Sequence, residues 1–270
     1  MDLQLVGRTA LVTGSSSGIG EGVAAALGRE GVVVAVHGRN VKRAEQVANR
    51  IIEGGGKAVV VIGDLSTDAG AAQIAQAALS QLGRVDILVN NAGRVNLRGD
   101  VPWLEVTEEE LIQMHNDNVV SAFRMTRRLV PDMKRHGWGR VLMTASVGAF
   151  QPLPTIPDYC ASKAALVNLT VGLAKAVAGT GVTVNSVSPG LILTPSLLGW
   201  MQDASRIHGW EGDQAAIEER CCKELFGLAV SRLGRVEEVG NLVAYLASPI
   251  ADFITGSNFR IDGGLAKSIN

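Results

Sequence analysis

Short β-branched runs alternate with longer Ala-rich amphipathic stretches along this chain. "TALVTG" (9–14) has the pattern of a strand, and "GIGEGVAAALGREG" (18–31) of a helix closed by Gly31. "VVVAVHG" (32–38) predicts a second strand, and "VKRAEQVANRIIEGGG" (41–56) a helix that ends in glycines. "KAVVVIGD" (57–64) and "DILVNNAG" (86–93) are two more apolar runs, separated by the helical "DAGAAQIAQAALSQLG" (68–83). "GRVLMTAS" (139–146), "GVTVNSVSPG" (181–190) and "ITGSNFRIDGG" (254–264) complete the strand set. Strands buried on both faces read as continuous apolar runs, so the pattern predicts a parallel sheet covered by helices on both faces. That is a doubly wound α/β arrangement in a single domain, residues 1–270. Thr107, three residues before Glu110, predicts a capping box that opens one more helix. Only Pro195 to Ser231 breaks the alternation: it has no strand signal and reads as an insertion on the ligand side.

Composition narrows the class. The 270 residues can bury a sizeable core, and 47% hydrophobic with 19% charged residues is a globular balance. A net charge of −1 gives no basic field for nucleic acid or an anionic membrane. Three cysteines, Cys160, Cys221 and Cys222, offer no disulfide framework and fit a reducing compartment. No apolar run approaches the ~20 residues of a membrane span, and no signal peptide opens the chain. A cytoplasmic enzyme is the expectation. His37, His115, His136 and His208 lack ligand spacing, so no metal site is expected and each reads as a surface or satisfied core histidine.

Two stretches carry chemistry. "TGSSSGIG", Thr13 to Gly20, follows the first strand and opens the first helix. Glycines there permit a tight turn and close backbone approach, and the helix start offers bare N–H groups to a pyrophosphate. In "DYCASK", Tyr159 and Lys163 stand four apart, one turn on a shared helix face. An ammonium near a phenol favours the phenolate and lowers a pKa that starts near ~10. Cys160 points off that face and reads as packing.

The glycine spacing is G-x-x-x-G-x-G, and here the chain resembles the short-chain dehydrogenase/reductase family, 3-oxoacyl reductases among them. The resemblance runs in order through "NNAG" (90–93), Ser146 in "TAS", "YCASK" and "SPGLILT" (188–194). It implies a Rossmann fold and a nicotinamide cofactor. It implies that Tyr159 exchanges a proton with the substrate oxygen, that Ser146 hydrogen-bonds that oxygen, and that Lys163 binds the ribose hydroxyls. Asn118, which fits the family position better than Asn116, would perturb its helix and hold a proton-relaying water. The cofactor would lie against Gly14, Ser16, Ser17, Gly18, Ile19 and Gly20, then Asp64 and Leu65 at the adenine. Asn91, Ala92, Gly93, Tyr159 and Lys163 would follow, with Pro189, Gly190, Ile192 and Thr194 at the far end.

Cofactor preference rests on the end of the second strand. The acidic position that would accept the ribose 2′-hydroxyl of NAD falls on Gly38, and Arg39 follows it. A guanidinium is suited to a 2′-phosphate, so NADP(H) is favoured over NAD(H). The rival is an Arg39 that only stacks on adenine. Ser17 stands where some members carry a second basic residue. The expected activity is hydride transfer between nicotinamide and a carbonyl or secondary alcohol. The alternatives are an NAD-dependent alcohol dehydrogenase working oxidatively on a sugar or steroid, and a non-catalytic nucleotide-sensing module. The resemblance also implies a homotetramer acting on a small molecule. Residues 195–231 would form a mobile lid over the substrate, the alternative being a fixed helical pair packed on the body or on a neighbouring subunit.

Overall fold

In the computed structural model of the chain, residues 1–96 and 103–268 are described. Seven strands form one parallel sheet: β1 (Thr9–Val12), β2 (Val33–Gly38), β3 (Lys57–Ile62), β4 (Ile87–Asn90), β5 (Gly139–Thr144), β6 (Val182–Pro189) and β7 (Asn258–Ile261). Their order is β3-β2-β1-β4-β5-β6-β7. The direction of winding therefore reverses between β1 and β4, and ligands of such sheets bind beyond the carboxyl ends of the strands at that point. β1, β4, β5 and β6 are buried along their whole length, as their unbroken apolar runs require.

The first helices are α1 (Gly18–Arg29), α2 (Val41–Glu53) and α3 (Asp68–Leu82). Next come α4 (Glu108–His115), α5 (Ser121–Arg135) and α6 (Pro157–Ala176). The last are α7 (Pro195–His208), α8 (Gln214–Arg220) and α9 (Val236–Ala247). Two apolar layers sandwich the sheet. One joins Leu11, Ile74, Leu88, Met125, Leu129 and Leu166. The other joins Val12, Val23, Leu27, Val36, Ile87 and Val243. Among the described residues no helix is long and apolar enough to cross a membrane. The capping box forms as expected: Thr107 Oγ1 accepts from Glu110 N at 3.2 Å while Glu110 Oε2 accepts from Thr107 N at 3.0 Å.

Between α4 and α5 the helix widens for one π-turn, Asn116–Val120. The Ser121 N–H reaches back to the Asn116 carbonyl, skipping Asp117. The Ser121 hydroxyl takes the skipped Asp117 carbonyl at 2.6 Å, so the extra residue leaves no orphaned acceptor there.

Pro195 to Ser231 is more ordered than its sequence indicates. It holds α7, α8 and a π-turn, Cys221–Phe226. Thr194 caps α7 by accepting from Leu197 N, and Asp213 caps α8 by accepting from Ala216 N. Gly209 ends α7 and Gly227 ends the π-turn, both in left-handed conformation (φ 63° and 61°). Met201, Cys221, Cys222, Leu228 and Leu233 form a separate small core beneath them. The helical period is obscured in the sequence because apolar side chains also face solvent, Ile207 at 80% exposure among them.

Candidate active site

The turn after β1 builds the first wall. Gly14 and Gly18 adopt left-handed φ of 65° and 60°, which L side chains resist. Ser15 is locked between strands: its hydroxyl donates to Val12 O at 2.6 Å and accepts from His37 N at 2.9 Å. Ser16, Ser17, Gly18, Ile19 and Gly20 then lead into α1. Its N-cap, Ser17, is extended and makes no side-chain cap, in contrast to Asn40 on α2 and Thr67 on α3. The first N–H groups of α1 are thus left without a side-chain acceptor, at the positive end of the helix dipole. Free N–H groups at a helix start suit a pyrophosphate, and Gly14, Ser16, Ser17, Gly18, Ile19 and Gly20 lie along this turn.

The second wall is "NNAG". Thr13 organises it: its hydroxyl accepts from Asn91 N at 2.9 Å and from Ala92 N at 3.0 Å, and donates to Val89 O. Asn91 closes the joint by donating to Thr13 O at 2.9 Å. Thr13 was not among the sequence candidates. Its signal would have been a hydroxyl at the strand end facing the next strand of the winding switch. On the other side of the cradle, Asp64 receives Ser66 N at 3.0 Å, and that backbone hydrogen bond is the main reason its carboxyl titrates lower than usual. Leu65 is buried, and its carbonyl takes Arg124 Nη1 at 3.0 Å. Arg39 lies exposed at the end of β2 and forms no ion pair among the described residues.

The reacting groups assemble from β5, α6 and the π-turn. Pro157 starts α6 at its first turn, where a missing N–H costs nothing, and Tyr159 and Lys163 follow one turn apart. Lys163 is 5% exposed and donates to Thr144 O at 2.8 Å. Its Nζ is 5.6 Å from the centre of the Tyr159 ring. Burial pushes the Lys163 ammonium down to about 8, because its charged form loses hydration. Ser146 caps a short turn by accepting from Gly148 N at 3.2 Å. A β-carbon at Gly148 would stand 3.6 Å from Ser146 Oγ and 3.8 Å from Tyr159 Cε1, which places these two groups around one point.

One electrostatic expectation is corrected. Burial raises the Tyr159 phenol above its ordinary value, the Ser146 side chain partly opposes this, and Lys163 is not among the causes. The Lys163 ammonium lies 5.6 Å from the centre of the Tyr159 ring and donates to Thr144 O, and burial sets the direction of the Tyr159 shift.

Asn118 is the asparagine that faces the site. Its Oδ1 accepts from Arg94 N at 2.7 Å, while its Nδ2 donates to Arg94 O at 3.0 Å and Ser162 Oγ at 2.9 Å. Asn116 instead donates to Ser66 O. A β-carbon at Gly93 would lie 2.6 Å from Asn118 Oδ1 and 3.7 Å from Lys163 Nζ. The carboxamide is thereby spent on the protein.

Beyond β6, Gly190 N donates to Ile261 O at 3.0 Å, and Ile192 pairs with Gly234. This bend brings Thr194 back to the glycine turn, with its Cγ2 3.5 Å from where a Gly18 β-carbon would be. Of the four residues expected here, Thr194 thus stands against the glycine turn, while Pro189 and Ile192 are buried and Gly190 packs against Asp262. Cys160 is buried beside Tyr159, accepts from Leu153 N, and its thiol is raised chiefly by burial, as packing requires.

Comparison with known proteins agrees with this geometry. Residues 8–237 match the short chain dehydrogenase family. The chain is 37% identical to the uncharacterised oxidoreductase YvrD of Bacillus subtilis, with 100% of both chains covered. Its fold superimposes on L-sorbose reductase from Gluconobacter frateurii, solved with NADPH and L-sorbose, with a TM-score of 0.91 at 32% identity over 100% of both chains. A 3-oxoacyl (acyl-carrier-protein) reductase from Agrobacterium tumefaciens C58, solved with NADP bound, gives a TM-score of 0.85 at 32% identity, covering 97% of this chain and 96% of that one. A seven-stranded parallel sheet of this order, a cradle at its winding switch and these matches along the length make the chain an oxidoreductase of the short-chain dehydrogenase/reductase family.

Proposed function

We propose that the protein is an NADPH-dependent carbonyl reductase with Tyr159 as general acid. The observation that carries this is the meeting of Ser146, Tyr159 and Lys163 beside the cofactor cradle, where a sensor would need none of them. When bound, the nicotinamide supplies the hydride. Ser146 hydrogen-bonds the substrate oxygen and Tyr159 gives it a proton. Lys163 keeps its charge below about pH 8 and has ammonium protons left after Thr144 for the ribose hydroxyls. Asn118, its carboxamide spent, supports the π-turn and the Arg94 backbone, and only its main chain is left for a relay water.

Preference for NADPH is supported at Gly38. A β-carbon there would stand 2.5 Å from Ser16 Oγ and 2.7 Å from Ser16 Cβ, so an aspartate at this position would require the Ser16 side chain to shift. With no carboxylate to repel a 2′-phosphate, Arg39 is the group placed to pair with one. Arg39 as a mere adenine stacker would bind both cofactors alike. The segment 195–231 serves as the substrate wall and lid. The protein works in the cytoplasm as a homotetramer, with α9 and edge strand β7 covered by neighbours. The solved structures offer two substrate chemistries to try first, a ketose and a 3-oxoacyl thioester. Consumption of NADPH absorbance against a panel of ketoses, 3-oxoacyl thioesters and cyclic ketones tests the reading. Turnover of one class with NADPH above NADH supports it. Oxidation of alcohols with NAD⁺ alone, or no turnover with any compound, sinks it.

A further inference from the structure

His37 was read from the sequence as an ordinary histidine, yet it stands at the end of β2 against the glycine turn. It is 3% exposed. Three hydrogen bonds join it to the turn: Gly14 N donates to His37 Nδ1 at 3.0 Å, Ser15 N donates to His37 O at 2.8 Å, and His37 N donates to Ser15 Oγ at 2.9 Å. The two backbone contacts could be made by any residue. The ring contact could not.

We propose that His37 is a positioning residue for the dinucleotide, a neutral ring that fixes the shape of the phosphate-binding turn by accepting the Gly14 N–H. The inference rests on that turn being the cofactor cradle. An imidazole can accept at Nδ1 only when its proton is on Nε2 and the ring is uncharged. The surroundings enforce that state. Burial is the main force and takes the ring down to about 4; the Gly63 backbone and the Asp64 carboxylate, from the end of β3, pull the other way, and Arg39 adds to the depression. Nε2 is buried and makes no hydrogen bond of normal geometry, and the Gly63 main chain is the acceptor its proton faces, which suits the Nε2–H tautomer. Because Gly14 and Ser15 spend their N–H groups on residue 37, the donors left for phosphate begin at Ser16. The ring thus holds Gly14 at the start of the turn that would carry the phosphate, although it does not touch the phosphate.

The test uses two variants of the full-length protein, His37→Leu and His37→Asn, titrated with NADPH by its nicotinamide fluorescence at pH 7.5. Asparagine offers an amide oxygen near the place of Nδ1, and leucine offers no acceptor. His37→Leu should raise the NADPH Kd by about 10-fold or more, since a buried donor is left unpaired. His37→Asn should stay within about threefold of wild type, and kcat at saturating NADPH should change little in either. Equal weakening in both variants, or wild-type affinity in the leucine variant, overturns the role. Should the leucine variant fail to fold, nitrogen NMR of the wild-type ring decides: the Nε2–H neutral tautomer at pH 6 supports the role, and a charged ring or the Nδ1–H tautomer overturns it. Wild-type protein that binds no dinucleotide overturns the cradle itself, which is a different result.

Discussion

The cradle at residues 13–20 and the segment at 195–231 meet at Thr194, the cap of α7, but are held by different means. The cradle is tied strand to strand: Thr13 to the β4 loop, Ser15 and Gly14 to His37, Asn91 back to Thr13. Nearly all of these bonds end on main-chain atoms, so they fix backbone, and backbone is what grips a phosphate. The segment is tied at its far end. Glu218 on α8, 6% exposed, accepts from Leu233 N at 2.8 Å and pairs with both Arg235 guanidinium nitrogens at 2.9 and 3.2 Å. Arg235 opens α9, whose Glu238 also receives Arg232 and Arg235 N and is held down to about 2, chiefly by Arg232. At the near end, α7 has its Thr194 cap and the buried Met201 and Ala204, with Ile207 exposed. On the proposed function, the cofactor would meet a locked main chain, and the substrate would meet a wall latched at its far end.

Three perturbations would break or sharpen this contrast. The largest belongs to the chemistry between the two regions. Tyr159→Phe removes the proton donor and nothing from the cradle, so kcat should fall by ~10²–10⁴ with NADPH affinity nearly unchanged. Retention of more than about a tenth of wild-type kcat in stopped-flow or steady-state assays would take Tyr159 out of the acid role. Next is the latch. Glu218→Ala leaves Arg235 facing a largely buried gap, and with that arginine partly in solvent the loss should be about 2 kcal/mol in denaturant unfolding. Hydrogen exchange should speed at 214–226 in this variant and not at 13–20. In the wild type, amides of 195–208 should exchange quickly and become protected once cofactor and substrate bind, with 214–226 protected throughout. Equal protection of α7 in the free and bound protein would make the whole segment a static wall. The smallest effect is at the cradle's rim: Arg39→Ala should raise the KM for NADPH about 10-fold, about 1.4 kcal/mol, and leave that for NADH alone. Equal weakening of both cofactors would assign Arg39 to the adenine.

What the sequence disclosed is what depends on neighbours along the chain. The apolar runs are strands because both their faces are covered, and the glycine spacing is legible because Gly14 and Gly18 need positive φ wherever the turn goes. Tyr159 and Lys163 share a face because helix geometry guarantees it. Partners brought together by the winding of the sheet left no such trace. Thr13 meets Asn91 across 78 positions, and Glu218 meets Arg235 only after α8 and its π-turn are laid down. His37 looked ordinary because a strand residue does not announce which turn it will meet. The sign of the Tyr159 shift was misjudged for a related reason: burial acts through all the surroundings, and spacing reports one neighbour.

The π-turn at 116–120 has a consequence for how this chain can vary in length. One residue of α-helix is about 100° of rotation. Removing a residue there would restore a regular helix, but it would also swing α4 by that angle about α5. Met114 is fully buried and hydrogen-bonded through its sulfur to Asn118 Nδ2, so the two cannot keep their places on a rod so rotated. Substitutions along 108–125 are a matter of degree, since side chains there range from buried to exposed. A gap or an insertion is not: the count of residues between Met114 and Ser121 is set to the unit, and an alignment of functional relatives should run through it without a break.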